Sequence, residues 1–194
     1  MIRVLHLMRS LNAGGIGTFI MNVYRKIDRS KIQFDFAITN SGMGQYGEEI
    51  EKLGGKIYFI SQNGNRNILD GLRQIVKFYR ECKINKYTIV HCHYYFANAA
   101  FLAAAKYAGV QKRVSHCHNT RTEKVSAIKE ITELIARKLL FHYGTDFLGC
   151  SKEAAEFLYG KKAVAYGKAK VLYNGIDYEL WNDSLYDKEK IKKK

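Results

Sequence analysis

Several features that would define a class of protein are missing from this sequence. It has no run of 18 apolar residues, so no segment is long enough to cross a membrane as a helix. Met1-Ile2-Arg3 leads directly into a strand pattern, without the charged and apolar regions of a secretion signal. Proline is absent altogether, and nothing else in the sequence explains its absence. We therefore expect a cytoplasmic protein.

Cysteine is scarce, and no two cysteines form a Cys-x-x-Cys pair. The four lie far apart in the chain, at Cys82, Cys92, Cys117 and Cys150. Cysteines of cytoplasmic proteins stay reduced, because that compartment is reducing. We expect four free thiols.

The chain is strongly basic and has enough apolar residues for a core. It has 194 residues, 47% of them hydrophobic and 13% aromatic, which favours one folded domain over disorder. Its net charge of +14 suits an anionic partner: nucleic acid, an anionic membrane or a phosphorylated substrate. No helix-turn-helix, RRM or zinc-finger pattern accompanies the charge, so we expect no nucleic-acid partner.

A glycine cluster near the N-terminus organises the rest of the chain. The apolar run 3–8 is followed by Gly14, Gly15 and Gly17, and then by apolar residues at helical spacing. This pattern predicts a strand, a glycine turn and a helix. Glycine permits positive φ and close approach of a ligand, and a helix N-terminus attracts phosphate. The spacing matches neither GxGxxG nor a P-loop, so a tight turn without a ligand remains an alternative.

Strands and helices alternate along the whole chain. Further strands are predicted at 34–39, 56–60, 88–93, 112–118, 146–150 and 171–173, and further helices at 46–53, 67–83, 95–108, 124–142 and 152–159. This alternation predicts an α/β fold, a Rossmann-like doubly wound parallel sheet of about seven strands with helices on both faces. We expect the strand order 3-2-1-4-5-6-7. Ligands bind such sheets at the carboxyl ends of the strands, between strands 1 and 4.

Two pairs of histidines lie at the ends of neighbouring predicted strands. His91 and His93 share one face of a strand, as do His116 and His118, because residues two apart point the same way. No acidic residue accompanies either pair, and we expect no metal. We expect His91 and His116 to be hydrogen-bonded core residues. His93 and His118 lie nearer the predicted crevice, where an imidazole could hold a phosphate or a sugar hydroxyl.

A basic stripe runs along the predicted helix 67–83. Arg73, Lys77 and Arg80 lie beside the apolar positions of that helix. The stripe is either an ordinary solvated face or a contact with anionic lipid headgroups at the inner face of the cell membrane.

Several motifs, in this order, resemble the first half of family 4 glycosyltransferases of the GT-B fold. They are the glycine turn 14–17, the segments 90–93, 108–110 and 114–119, Cys150-Ser151-Lys152-Glu153 and Asn174-Gly175-Ile176-Asp177. The resemblance is to capsular-polysaccharide and exopolysaccharide enzymes. It implies an N-terminal glycosyltransferase domain over 1–180, with 181–194 as a basic tail or the start of an interdomain linker. It also implies that the C-terminal donor-binding domain is absent from this sequence.

The resemblance further implies roles for particular residues. Gly14, Gly15 and Gly17 would lie against the diphosphate of a nucleotide-sugar, which is a substrate rather than a cofactor. His118 would be catalytic, while His93 and Asn119 would contact the acceptor. The implied function is the acceptor-binding half of a retaining transferase, acting on a glycan or lipid-linked acceptor and inactive without a donor domain, which a separate chain could supply. The alternative is a non-catalytic basic module that binds a nucleotide, a phosphosugar or an anionic lipid.

Overall fold

A computed structural model describes residues 1–61, 67–120 and 126–175 of the chain. These residues form seven strands and seven α-helices. The strands are Ile2–Met8 (β1), Ile32–Ile38 (β2), Ile57–Phe59 (β3), Ile89–Cys92 (β4), Lys112–Cys117 (β5), Asp146–Gly149 (β6) and Ala169–Val171 (β7). The helices are Gly15–Lys26 (α1), Gly47–Lys52 (α2), Ile68–Ile84 (α3), Asn98–Tyr107 (α4), Ala127–Tyr143 (α5), Lys152–Tyr159 (α6) and Lys161–Ala165 (α7).

The strands form one parallel sheet in the order β3-β2-β1-β4-β5-β6-β7. The order reverses between β1 and β4, where the chain crosses from one edge of the sheet back to its centre. This arrangement confirms the predicted Rossmann-like fold and strand order. The reversal opens a crevice at the carboxyl ends of β1 and β4, where ligands of such sheets bind.

Two apolar layers cover the sheet, one on each face. Successive residues of β1 alternate between them: Leu5 and Leu7 join the layer beneath α3 to α6, whereas Val4 and Met8 join the layer beneath α1 and α2. His6 also faces the α1 layer, since Phe34 and Phe36 of β2 lie against its ring. The layer under α1 therefore contains polar rings as well as apolar side chains.

Most elements lie where the sequence predicts them, with local differences. Ser151 caps α6, accepting a hydrogen bond from the Ala154 amide at 3.1 Å. The predicted helix 95–108 begins with a 3₁₀ turn, Tyr95–Ala97, and β7 begins two residues earlier than predicted. Gly160 has a φ of +91° and separates α6 from α7, a helix that the sequence pattern did not indicate. The predicted turn at 63–65 and the boundary at 180 lie outside the described residues.

Most of the apolar residues that recur at helical spacing along α3 and α5 are exposed. Ile68 on α3 is 84% exposed and Ile128 on α5 is 76% exposed, while α3 is anchored by the fully buried Phe78 and Cys82. On α5, four further apolar residues are also exposed: Ile131, Leu134, Ile135 and Leu139. Helical spacing shows that apolar residues share a face, but it does not show that another element covers that face.

The structure also shows the state of the cysteines and the length of the apolar helices. The four cysteines are free thiols, and those at 82, 92 and 117 are buried. In the part of the chain that the structure describes, no helix is sufficiently long and apolar to cross a bilayer.

Candidate functional site

A cavity of about 310 Å³ opens at the carboxyl edge of the sheet, between the end of β1, the start of α1 and the segment after β5. All three predicted glycines line it, and so do His118 and Asn119. Residues more than 100 positions apart in the chain thus meet at the predicted switch point.

The glycine loop presents unpaired donors to this cavity. Gly14 is the residue before α1, and no side chain caps the helix there. The first hydrogen bond of the helix runs from the Thr18 amide to the Gly14 carbonyl at 2.8 Å. The preceding amides at the helix start have no intrahelical acceptor, and they mark the positive end of the helix dipole. This end of α1 therefore suits an anion.

These positions are glycine because a side chain would take up space there, and not because the backbone angles are unusual. Gly14 has a φ of −152°, which any residue adopts, and none of the three glycines has a positive φ. The loop therefore does not use the positive φ that glycine permits. A Cβ added to Gly14 or Gly15 would meet nothing within 4 Å, whereas a Cβ on Gly17 would lie 2.5 Å from the Asn12 carbonyl oxygen. Gly14 and Gly15 leave room for a ligand, and Gly17 lets the loop close.

A second loop holds the glycine loop in place. The Ala13 amide donates to the side-chain oxygen of Gln45 at 2.7 Å, and the Tyr46 amide donates to the Leu11 carbonyl at 3.0 Å. The hydroxyls of Thr18 and Tyr46 are 3.1 Å apart. These bonds fix the loop from outside the cavity, so its inner face stays open.

Part of the cavity wall consists of residues that no sequence motif indicated. Arg9, Ser10 and Asn12 follow β1 directly, and Asn174 follows β7. The Asn22 side chain donates to the Gly175 carbonyl at 3.3 Å, which brings the Asn174 segment to α1. Arg9 is the one Lys or Arg among the described residues of this wall. The position of these residues just after a parallel strand was the signal that could have identified them.

Three histidines form a hydrogen-bonded row beneath α1. Nδ1 of His6 lies 3.2 Å from Nε2 of His93, and Nδ1 of His93 lies 2.9 Å from Nε2 of His118. His6 comes from β1, while His93 and His118 directly follow β4 and β5. His6 belongs to no motif in the sequence, and its place opposite His91 of β4 is fixed by the register of the sheet.

A second histidine pair lies beside this row. Nε2 of His91 is 3.2 Å from Nδ1 of His116, and the two rings are stacked. Both residues are therefore hydrogen-bonded within the α1 layer, as predicted. Phe19 of α1 packs edge-on against His116 at 5.7 Å and also lies over His118. This packing shields the cluster from solvent.

Shielding keeps the histidines uncharged at neutral pH. Loss of hydration lowers the pKa of His118 to about 4 and that of His6 to about 3, with the charge of His116 adding to the effect at His6. Burial likewise lowers the pKa of His116 to about 2, and those of His91 and His93 fall well below 6.5. The rings act as neutral hydrogen-bonding groups.

The same cluster is the place where a metal ion could bind. Two triads, His6–His91–His93 and His93–His116–His118, each place one ring nitrogen per residue within 4.8 Å of the others. Neither triad contains a carboxylate or a thiolate to offset the charge of a divalent ion. Both nitrogens of His93 already pair with a neighbouring ring, at 3.2 Å and 2.9 Å, so an ion bound by either triad would take the place of one of these hydrogen bonds.

His93 lies behind the cavity rather than on its wall. Its side chain is buried, with 7% of the residue exposed, and it contacts His118 instead of open space. Its predicted contact with an acceptor stays a prediction, as do the catalytic role of His118 and the acceptor contact of Asn119.

The fold is that of a Rossmann-like domain, with a cavity at the carboxyl edge of its sheet. The family model described as Glycosyltransferase Family 4 matches residues 13–180, and the chain belongs to that family. It is 36% identical over 191 residues to EpsF of Bacillus subtilis (strain 168), which is named as a glycosyltransferase. It is 22% identical over 191 residues to the capsular polysaccharide biosynthesis glycosyltransferase CapH of Staphylococcus aureus. The polysaccharide-biosynthesis type that the motifs resemble is thereby supported.

These relatives are longer than the chain. The matches cover 97% of this chain but 49% of EpsF and 51% of CapH, so the chain spans about half the length of the curated relatives it matches. Among solved structures, Anabaena HepE in complex with UDP-glucose superposes with a TM-score of 0.70 at 16% identity, covering 100% of this chain and 48% of HepE. A glycosyltransferase from Rickettsia africae also gives 0.70 at 15% identity, covering 99% of this chain and 48% of that one. At such identities the structures show a shared fold.

Proposed function

We propose that this chain is the acceptor-side half of a retaining glycosyltransferase, which transfers a sugar from a nucleotide-sugar to a glycan or lipid-linked acceptor. The observation that carries the proposal is one cavity in which the uncapped start of α1, the open glycines and His118 meet. The membership of the chain in family 4 supports the reaction type.

The donor's diphosphate lies at the start of α1 in this proposal. A nucleoside diphosphate that leaves gains negative charge, and preorganised N–H groups stabilise charge that develops in a transition state. Gly14 and Gly15 leave the approach open, and Arg9 adds a positive charge on the same wall. In this proposal, neutral His118 and Asn119, which line the same cavity, contact the transferred sugar and the acceptor.

Residues 1–194 by themselves bind but do not transfer in this proposal. The matched relatives are about twice as long as this chain. The resemblance assigns two features of the family, a Glu-x7-Glu segment and an Arg/Lys pair for the diphosphate, to the half that lies outside this match. Without those groups, the leaving diphosphate lacks most of its charge neutralisation. A donor half could come from further residues of the same chain or from a separate chain.

The test compares residues 1–194 alone with a chimera that carries the C-terminal half of EpsF. Both are incubated with a panel of nucleotide-sugars and lipid-diphosphate or glycan acceptors. We expect turnover from the chimera alone, and retention of the anomeric configuration in the product by NMR. Turnover by residues 1–194 at the rate of the chimera would refute the half-enzyme proposal, and an inverted product would refute the retaining mechanism.

The second candidate function is a binding module without catalysis. The net charge of +14 and the anion-suited start of α1 favour it independently of the transfer reaction. It predicts that residues 1–194 bind UDP or a phosphosugar while no chimera turns over. The same panel, followed by calorimetry, separates the two functions.

The exposed faces of α3 and α5 support a peripheral contact with an anionic membrane. A second cavity of about 390 Å³ on α3 is lined by Leu69, Leu72 and Val76, with Arg73, Lys77 and Arg80 around it. Apolar side chains beside cations suit a lipid surface, because acyl chains cover the former and anionic headgroups pair with the latter.

A further inference from the structure

The row His6–His93–His118 permits only two arrangements of its protons. Each neutral imidazole carries one proton on one of its two nitrogens. Each of the two contacts in the row, at 3.2 Å and 2.9 Å, needs one proton between its nitrogens. Once His93 donates to one neighbour, the protons of the other two rings are fixed.

In the first arrangement all three rings are protonated on Nδ1. His6 donates to His93, His93 donates to His118, and the Nδ1 proton of His118 is left over. In the second arrangement all three are protonated on Nε2, the donations run the other way, and the Nε2 proton of His6 is left over. Neither Nδ1 of His118 nor Nε2 of His6 has a partner among the described residues.

The surroundings of the two ends differ. The His6 ring is buried in the α1 layer, 4.3 Å from the Phe34 ring, and it does not line the cavity. An N–H left there would remain unsatisfied, and such buried donors are rarely tolerated, whereas a bare ring nitrogen is less costly. Nδ1 of His118 is also buried and without a partner, but His118 is a residue of the cavity wall, so an oxygen of a ligand in the cavity is the acceptor offered to its proton. In the first arrangement, the N–H without a partner in the row is therefore on His118, the ring that lines the cavity.

We propose that His6 and His93 are positioning residues that hold His118 in its Nδ1–H form, so that His118 donates a hydrogen bond to an anionic or hydroxyl oxygen of the ligand. The nature of that ligand rests on the proposed function, whereas the proton arrangement rests on the row itself. His118 then acts as a donor toward the ligand and not as a base. Its lowered pKa agrees with a neutral ring at pH 7.

The direct test is histidine tautomer assignment by ¹⁵N NMR on residues 1–194 at pH 7, after treatment with EDTA. We expect His6, His93 and His118 all to be protonated on Nδ1. An Nε2-protonated His118 would overturn the proposal. The same nitrogens could instead bind a metal ion, and a titration with Co²⁺ tests this alternative. Stoichiometric binding of Co²⁺ at His93 would also overturn the proposal.

Two matched variants test whether the row determines which ring nitrogen of His118 carries the proton. His6→Phe removes the first donor of the row, whereas His91→Phe removes a ring from the neighbouring pair. We expect Nε2-protonated His118 to appear in His6→Phe and to be absent from His91→Phe. In His6→Asn, an amide N–H takes the place of Nδ1–H, and we expect the original form to return. If His6→Phe does not fold, the His6→Asn spectrum and the unmodified protein still decide the question.

A titration with UDP separates this inference from the proposed function. We expect UDP to shift the Nδ1–H signal of His118 and to bind at least tenfold more weakly to His6→Phe than to His91→Phe. UDP binding with an unchanged His118 signal would overturn the donor role. No UDP binding, with all three rings protonated on Nδ1, would count against the nucleotide site and would leave the positioning of His118 supported.

Discussion

Gly17 packs so closely on Asn12 that a Cβ at position 17 would lie 2.5 Å from the Asn12 carbonyl oxygen. That distance is far inside van der Waals contact, and the obstacle is a backbone atom that cannot rotate away. Two positions earlier, a Cβ on Gly15 would meet nothing within 4 Å. Neighbouring glycines of one loop therefore have different physical reasons to be glycine.

Alanine substitutions separate those reasons. We expect Gly17→Ala to lower the free energy of unfolding by about 1–3 kcal/mol, because the loop must move away from α1. Gly15→Ala leaves the free energy of unfolding unchanged or slightly higher, since alanine favours a helix, but it weakens UDP binding by occupying the cavity. Urea unfolding and calorimetry measure the two effects. Equal losses of stability in the two variants would contradict this division.

His118 and His116 provide a matched pair for function and stability. In the chimera with a donor half, we expect His118→Ala to lower the transfer rate about 10²–10³-fold, the scale for loss of one well-placed donor. His116 is fully buried and pairs with His91, so His116→Ala mainly lowers the free energy of unfolding, by about 2–3 kcal/mol. Steady-state kinetics and urea unfolding test the pair. Similar behaviour of the two variants would refute the assignment of His118.

The buried histidines make the fold sensitive to acid. Their folded-state pKa values, about 3 for His6 and about 4 for His118, are below the 6.5 of an unfolded chain. Their contribution to stability is therefore complete above pH 6.5 and is lost as pH falls toward 4, by up to about 1.4 kcal/mol per pH unit for each ring.

Urea unfolding between pH 7 and pH 5 measures this loss. We expect the His6→Phe variant to show a shallower decline than the unmodified protein, because one fewer ring takes up a proton on unfolding. A free energy of unfolding that stays constant over this range would contradict the burial of these rings.

The buried carboxylate of Asp35 is paired with Arg3 and accepts further hydrogen bonds from Tyr87 and Lys56. It is fully buried and accepts hydrogen bonds from Nε of Arg3 at 2.6 Å, the Tyr87 hydroxyl at 2.6 Å and the Lys56 amide at 2.7 Å. We expect Arg3→Leu to lower the free energy of unfolding by about 3 kcal/mol, since it leaves a buried carboxylate without its cation.

The partly exposed pair Arg25–Glu49 is the control for Asp35. Its side chains are about one-third exposed, so water already screens its attraction. We expect Glu49→Gln to lower the free energy of unfolding by less than about 1 kcal/mol. If Glu49→Gln lowered the free energy of unfolding more than Arg3→Leu did, burial would not be what decides how much these ion pairs stabilise the fold.

The membrane contact makes a prediction about salt and charge. We expect co-sedimentation with anionic vesicles to weaken as salt rises, and to fall further when Arg73, Lys77 and Arg80 are changed to Gln, at about 1 kcal/mol per charge. The matched control changes Lys161, Lys162 and Lys168, which lie away from α3 on α7 and its following turn. Equal binding to anionic and neutral vesicles would remove the proposal and favour a solvated stripe.

The order of the sheet was predictable from the sequence because it depends on local patterns. Buried parallel strands such as β4 read as short apolar runs, and the glycines and Ser151 mark where helices begin. Once strands alternate with helices, right-handed crossovers leave few topologies, and the switch point follows. The sequence patterns alone therefore predict that His118 and the glycine loop lie at one edge of the sheet, where the structure has them.

Only the tertiary structure decided which surfaces are covered and which nitrogens meet. Helical periodicity gave α5 an apolar face, yet Ile128 on that face is exposed, because covering it depends on a neighbour that the spacing does not specify. The row from His6 through His93 to His118 depends on the register of three strands and on side-chain rotation. Those are fixed by packing between residues 87 positions apart at the first contact and 25 positions apart at the second, which no local pattern in the sequence encodes.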